Sequence, residues 1–192
     1  MTVSIAPIAT LAEFLDCPDL DDSPAWEYFD GRAVQKPMPK FRHSLLQKRL
    51  IRAIDAVGDR YTAMPELRCT FGDRSIVPDV AVVAWERVAL TDDGEPIDQF
   101  LAAPDWMIEI LSPEQSTTRV LDKLLHSLQF GSQLAWLVDP QDRSVLTLLP
   151  DRSPLIGRRA DPLLCLPDLP LTLTAEQIFG WLKVGSQPEE TA

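Results

Sequence analysis

The chain has 192 residues, 45% of them hydrophobic, and a formal net charge of −11, which suits one domain with a real core and little more. No apolar run approaches the roughly 20 residues of a membrane span, and MTVSIAPIATLAEF has neither the basic region nor the long apolar core of a signal peptide. Three scattered cysteines (Cys17, Cys69, Cys165) form neither a disulfide framework nor a zinc-ligand spacing, so a reducing cytoplasm is the expected compartment and no membrane partner is expected. One domain over residues 1–185 is predicted, with a disordered tail over 186–192.

Thr10-Leu-Ala-Glu13 has the form of a capping box and predicts a short helix. Asp30-Gly31 between aromatic-rich flanks predicts a hairpin over residues 26–34. Lys36 to Lys40, with two prolines, reads as a rigid connection. From His43 to Arg60, Leu46, Leu50, Ala53, Ile54 and Val57 recur at helical spacing. Strands are predicted at Glu66–Phe71, Ile76–Trp85 and Asp105–Leu111, the last after an acidic, Gly- and Pro-containing loop. Ser112-Pro113 ends that strand, and a helix to about Phe130 follows, with Val120, Leu121, Leu124, Leu125 and Leu128 as its buried stripe. Lys123 falls beside that stripe and His126 on the exposed side. LAWLV at 134–138 and Val145–Leu149 read as further strands. Residues 150–173 are proline-punctuated and extended, and Thr174-Ala-Glu-Gln177 opens a last short helix.

The strands PDVAVV (78–83) and DWMIEIL (105–111) are nearly unbroken apolar runs, as in strands covered on both faces. Each carries one carboxylate, Asp79 and Glu109. A buried carboxylate without a partner is costly or takes up a proton. By period two, Asp79 shares a face with Val77, Ala81 and Val83, and Glu109 with Asp105, Met107 and Leu111. If the strands are neighbours the two acids converge, and a divalent metal is the most economical shared partner, because hard cations take carboxylate oxygens.

The negative net charge argues against nucleic acid, but its distribution does not. Residues 30–60 hold eight Lys/Arg against three Asp, a local +5 on an acidic body, which is compatible with phosphate contact.

Helix, three strands, helix, strand, with PD on the second strand and Glu on the third, resembles the PD-(D/E)xK nuclease superfamily. More narrowly, WEYFDG (26–31), His43 and Gln47, PDVAVV (78–83), PDWMIEILSP (104–113), Lys123 and LAWLVDP (134–140) resemble the Uma-type restriction endonucleases over about residues 10–183. The resemblance implies a mixed α+β fold with a restriction-endonuclease-like αβββαβ core, an N-terminal helix and hairpin, and a C-terminal extended segment plus short helix. It implies a metal-dependent endonuclease that hydrolyses DNA phosphodiester bonds. Asp79, Glu109 and the carbonyl of Ile110 would hold Mg²⁺ (or Mn²⁺). Lys123 would assist the attacking water, and Glu27 would add a metal or water ligand.

DNA would meet Lys40, His43, Gln47, Lys48 and Arg49, and a homodimer is expected for paired cuts, with the apolar segment Pro162–Trp181 as its interface. The chain departs from the pattern at three places: Leu111 stands where the superfamily lysine belongs, Ser127 where the family has an aromatic, and Ala135 where it has Tyr. A non-catalytic DNA-binding or protein-interaction module on the same fold is the alternative. A glycosidase using Glu27 and Glu109 ranks below both, because no aromatic sugar platform accompanies them.

Overall fold

The computed structural model describes residues 10–183 apart from Asp21 and Glu114; the tail expected over 186–192 lies outside them. The first capping box forms: Thr10 and Glu13 each accept from the other's backbone N–H and start α1 (Leu11–Leu15). This short helix has one buried side chain, Phe14, which packs on Tyr28 with ring centroids 5.3 Å apart. Tyr28 belongs to β1 (Trp26–Phe29), which pairs antiparallel with β2 (Arg32–Gln35). Both turn residues between them have positive φ, Asp30 at 53° and Gly31 at 68°. That geometry matches the twist of the two strands, and Asp-Gly tolerates it.

α2 (Phe41–Asp55) buries Leu46, Leu50 and Ile54, one residue per turn along a single stripe. The chain then departs from the expected strands. A strand not anticipated from the sequence, β3 (Tyr61–Pro65), precedes β4 (Cys69–Phe71), and the predicted strand Ile76–Trp85 is two strands, β5 (Arg74–Ile76) and β6 (Val80–Ala84). The break falls at Val77-Pro78-Asp79. Pro78 has no N–H to give to a ladder, and here the chain leaves one sheet for another. β7 (Trp106–Ile110), α3 (Thr117–Gln129), β8 (Leu134–Asp139), β9 (Ser144–Leu148), β10 (Leu155–Arg158) and α4 (Ala175–Gly180) complete the order, the last opened by the second predicted capping box.

The four-stranded sheet runs β2-β1-β5-β4 and the six-stranded sheet β10-β9-β8-β7-β6-β3. Among the strand pairs of the described residues, only β7 and β8 run parallel, and α3 is the crossover that a parallel pair requires. The helix-strand-strand-strand-helix-strand order expected for the core is therefore α2-β3-β6-β7-α3-β8, with β4 and β5 inserted into the smaller sheet.

The two faces of the six-stranded sheet bury alternate residues. Val80, Val82, Trp106, Ile108, Trp136 and Val138 face α2 and the C-terminal segment, and Ala81, Val83, Met107, Ala135 and Leu137 face α3 with Val120 and Leu124. The apolar residues expected to serve as a dimer interface turn inward instead. Leu163, Leu166, Leu169, Leu173, Ile178 and Phe179 are buried in the chain's own core, because the extended segment returns across the sheet face that it shares with α2. Among the described residues no helix is long and apolar enough to cross a membrane.

Candidate active site

The site forms where the two sheets meet, at the switch between β5 and β6. β6 and β7 pair with Val80 opposite Ile108, and one step further along that register sets Asp79 opposite Glu109. Both carboxylates are 1% exposed. Asp79 Oδ2 accepts from the Ile110 N–H at 2.7 Å. Its Oδ1 takes Lys36 Nζ at 2.8 Å and lies 3.4 Å from His43 Nε2. Gln47 donates to the Asp79 carbonyl at 2.7 Å, and Lys36 to the Val77 carbonyl at 2.7 Å. His43 and Gln47 thus share a helix face, as their spacing requires, and that face is turned onto Asp79.

Glu109 points to the other side of the cluster, toward α3. Lys123 Nζ lies 2.7 Å from Glu109 Oε1 and donates to Glu27 at 3.0 and 3.2 Å. Glu27 Oε1 also accepts from the Val77 N–H at 3.0 Å. Lys123 thus stands as the cation of two buried acids, paired with Glu109 Oε1 and with Glu27. Three carboxylates (Glu27, Asp79, Glu109) and two lysines (Lys36, Lys123), all buried, meet here.

The two acids are driven apart by their surroundings. Burial pulls the Asp79 carboxyl upward, but Lys36 and then His43 more than offset it and hold it well below the usual carboxylate range. Burial pushes the Glu109 carboxyl up to about 7; Lys123 opposes that rise and the charge of Asp79 adds to it. Burial alone would lower both lysines. Asp79 and Glu109 raise Lys36 above its ordinary value, and Glu109 and Glu27 raise Lys123. Both ammonium groups stay charged as the internal counter-ions of the acids.

A consequence for acid stability follows from the sign of the Asp79 shift. The folded chain holds this carboxyl below its ordinary 3.8, so its stabilising effect is present above that value and is lost as pH falls. The urea midpoint of the native chain is expected to fall more steeply than that of Asp79→Asn between roughly pH 5 and pH 2; parallel curves would contradict the assignment.

The cluster joins Glu27, Asp79, Glu109 and Lys123, all four of the residues expected to do chemistry. Lys123 is 3% exposed and lies in the buried face of α3, whereas Leu125 is 55% exposed. The expected stripe holds at Val120 and Leu124 but not at Leu125, and Lys123 takes an inward place facing Glu27 and Glu109. His126 is buried too, contrary to its expected exposure, stacked on Phe71 with ring centres 5.2 Å apart and against Phe130. Lys40, Lys48 and Arg49 are exposed, while Glu66 begins no strand and faces solvent.

Lys36 is the residue that sequence reasoning missed, having read it as part of a rigid connection. A signal existed. The Asp30-Gly31 turn fixes Glu27 opposite Val34, and the residue two further on, Lys36, is a diagonal neighbour on the same face.

The donor set suits a hard divalent cation. Asp79 and Glu109 bring buried carboxylate oxygens together, and hard cations take such oxygens. Mg²⁺ needs only one or two carboxylates, because water and substrate phosphate complete its shell. Among the described residues no three His, Cys, Asp or Glu side chains form a ready-made metal cage.

The sequence matches the model of the Uma2 family, described as "Putative restriction endonuclease", over residues 11–176. The structure is similar to the crystal structure of "a putative nuclease belonging to DUF820 from Anabaena variabilis ATCC 29413", with 42% sequence identity and a TM-score of 0.86, covering 91% of this chain and 99% of that one. No curated protein matches the sequence. With a matching family model over most of its length and this fold, the chain belongs to the Uma2 family.

Proposed function

We propose that the chain is a metal-dependent endonuclease that hydrolyses DNA phosphodiester bonds. The observation that carries this reading is the meeting of two buried acids, Asp79 and Glu109, at one site with Lys36 and Lys123 as their counter-ions, in a member of this family. Asp79, Glu109 and the carbonyl of Ile110 would hold Mg²⁺ or Mn²⁺. When bound there, a divalent cation neutralises charge on the scissile phosphate and makes an attached water acidic.

The remaining work falls to the chain's own groups. Asp79 is fixed as a carboxylate by Lys36, by His43 and by the Ile110 N–H. Lys123, held by Glu27 and Glu109, would turn one of its N–H groups from these acids to the attacking water or to a phosphate oxygen. Glu27 orients Lys123 and stands ready as a further acceptor for the water. The exposed Lys40, Lys48 and Arg49 offer phosphate contacts.

One observation favours the alternative, a non-catalytic binding module. Both oxygens of Asp79 already have donors, so Lys36 must release Oδ1 before a cation can take it. Calorimetric titration of Mg²⁺ and Mn²⁺ separates the two readings. The folded native chain is expected to bind, and Asp79→Ala, with its fold checked by circular dichroism, to bind at least tenfold more weakly, the lower end of what lost metal-site partners cost. A native chain that binds neither ion, with or without DNA present, would shift the assignment to the module.

A further inference from the structure

Beside the acid cluster lies an open cleft of about 760 Å³, lined among others by Lys40, Phe41, Arg42, Ser112, Gln115 and Thr117. Its volume falls within the roughly 300–1,000 Å³ of small-ligand sites. His43 also lines it and ties it to the chemistry, with Nε2 3.4 Å from Asp79 Oδ1 and Nδ1 3.5 Å from Ser112 Oγ. Phe41 stands at its edge, 78% exposed, and Met38 nearby is 61% exposed. Phe41 is part of no core cluster and has a cationic residue on each side in sequence. It is also the first residue of α2, a 15-residue helix with no acid in its first turn and no side-chain cap.

We infer that this cleft holds an unpaired nucleotide of the DNA substrate, with its base stacked on Phe41 and its phosphate toward Lys40, Arg42 and His43. The inference deepens the nuclease reading and rests on it. An exposed aromatic among cations, in a groove that leads to an acid cluster, has the two elements that hold an unstacked nucleotide: a flat apolar face for the base and positive charge for the backbone. A base inside a duplex has both faces covered by its neighbours, so Phe41 can stack only on one that is unpaired or turned out of the helix. The favoured substrate is DNA with an unpaired nucleotide next to the bond to be cut, such as a bulge, a flap or a single strand.

The test uses the full chain in chelator, so that nothing is cleaved. Two labelled duplexes are compared, one carrying a single unpaired 2-aminopurine and one fully paired. The native chain is expected to quench the 2-aminopurine and to bind the bulged duplex roughly tenfold more tightly, within the range of one base–aromatic stack. Phe41→Ala should bring the ratio of the two affinities toward one, and Phe41→Trp should keep it. Circular dichroism controls for folding, which an exposed side chain hardly affects. Equal affinities for the two duplexes, or a ratio that survives Phe41→Ala, would overturn the inference. If the paired duplex is bound and, with metal restored, cleaved without any such preference, the inference falls and the nuclease reading stands. A preference that persists in a chain inactive with every divalent metal supports the nucleotide cleft and overturns the nuclease reading.

Discussion

Glu109→Gln is expected to lower the rate of DNA cleavage by about 10²–10³-fold or more, with the fold intact. The substitution is close to isosteric and keeps an oxygen toward Lys123, so packing in the 1%-exposed site changes little. It removes the carboxylate charge that Lys123 faces at Oε1. Metal-assisted stabilisation of a developing phosphate charge is worth several kcal/mol, and each 1.36 kcal/mol is a factor of ten in rate, about. Single-turnover cleavage of a labelled DNA substrate at saturating Mg²⁺ measures the loss. An activity within threefold of the native chain would remove Glu109 from the proposed metal set. Because the carboxyl is pushed up to about 7 by burial, neutralising it relieves strain in the folded state. Thermal unfolding should therefore show no large loss of stability, which separates a chemical defect from a folding one.

Lys123→Met is expected to do the reverse, costing about 3–5 kcal/mol of stability, the usual penalty for removing one partner of a buried ion pair. Methionine fills much the same volume and brings no charge. Glu27 and Glu109, each now within 3.2 Å of Lys123 Nζ, would face one another across an apolar gap. Denaturant unfolding measures the loss. Adding Glu27→Gln and Glu109→Gln to Lys123→Met should recover most of it, since paired removal of buried charges is close to neutral. A single mutant within about 1 kcal/mol of the native chain would mean that water reaches the cluster and screens it. The two substitutions together distinguish the acid that the site holds ready from the base that holds the site together.

Much of the fold was legible in the sequence because it was locally encoded. Two capping boxes, an Asp-Gly hairpin and a helical stripe at Leu46, Leu50 and Ile54 each carry their signal within a few residues, and each forms. The acid pair was legible for a different reason: charges in otherwise apolar strands stand out, and the pairing of β6 with β7 then brings them together. Less legible was anything decided by tertiary partners. The strand Tyr61–Pro65 ends in exposed Met64 and Pro65 and shows no alternation long enough to recognise. The switch of sheets at Pro78 was readable from the proline, but the apolar residues on both sides of it masked the break. The face of α3 that turns inward was misread at Lys123 and Leu125, since hydrophobic counting cannot know that two carboxylates wait for the lysine. The role of Lys36 depends on Asp79, 43 residues away, which no short window contains.

That last feature has a bearing on how the chain comes into being. Lys36 closes on Asp79 across 43 residues, and Lys123 on Glu27 across 96. During synthesis the hairpin emerges first and must wait for α3, so the acids acquire their second cation only after roughly the first two-thirds of the chain has been made, domains being completed from the N-terminal end. An unfinished or truncated chain thus carries the carboxylates without the arrangement that aims them. On the proposed reading, a fragment released before α3 is made lacks Lys123 and with it the cutting activity.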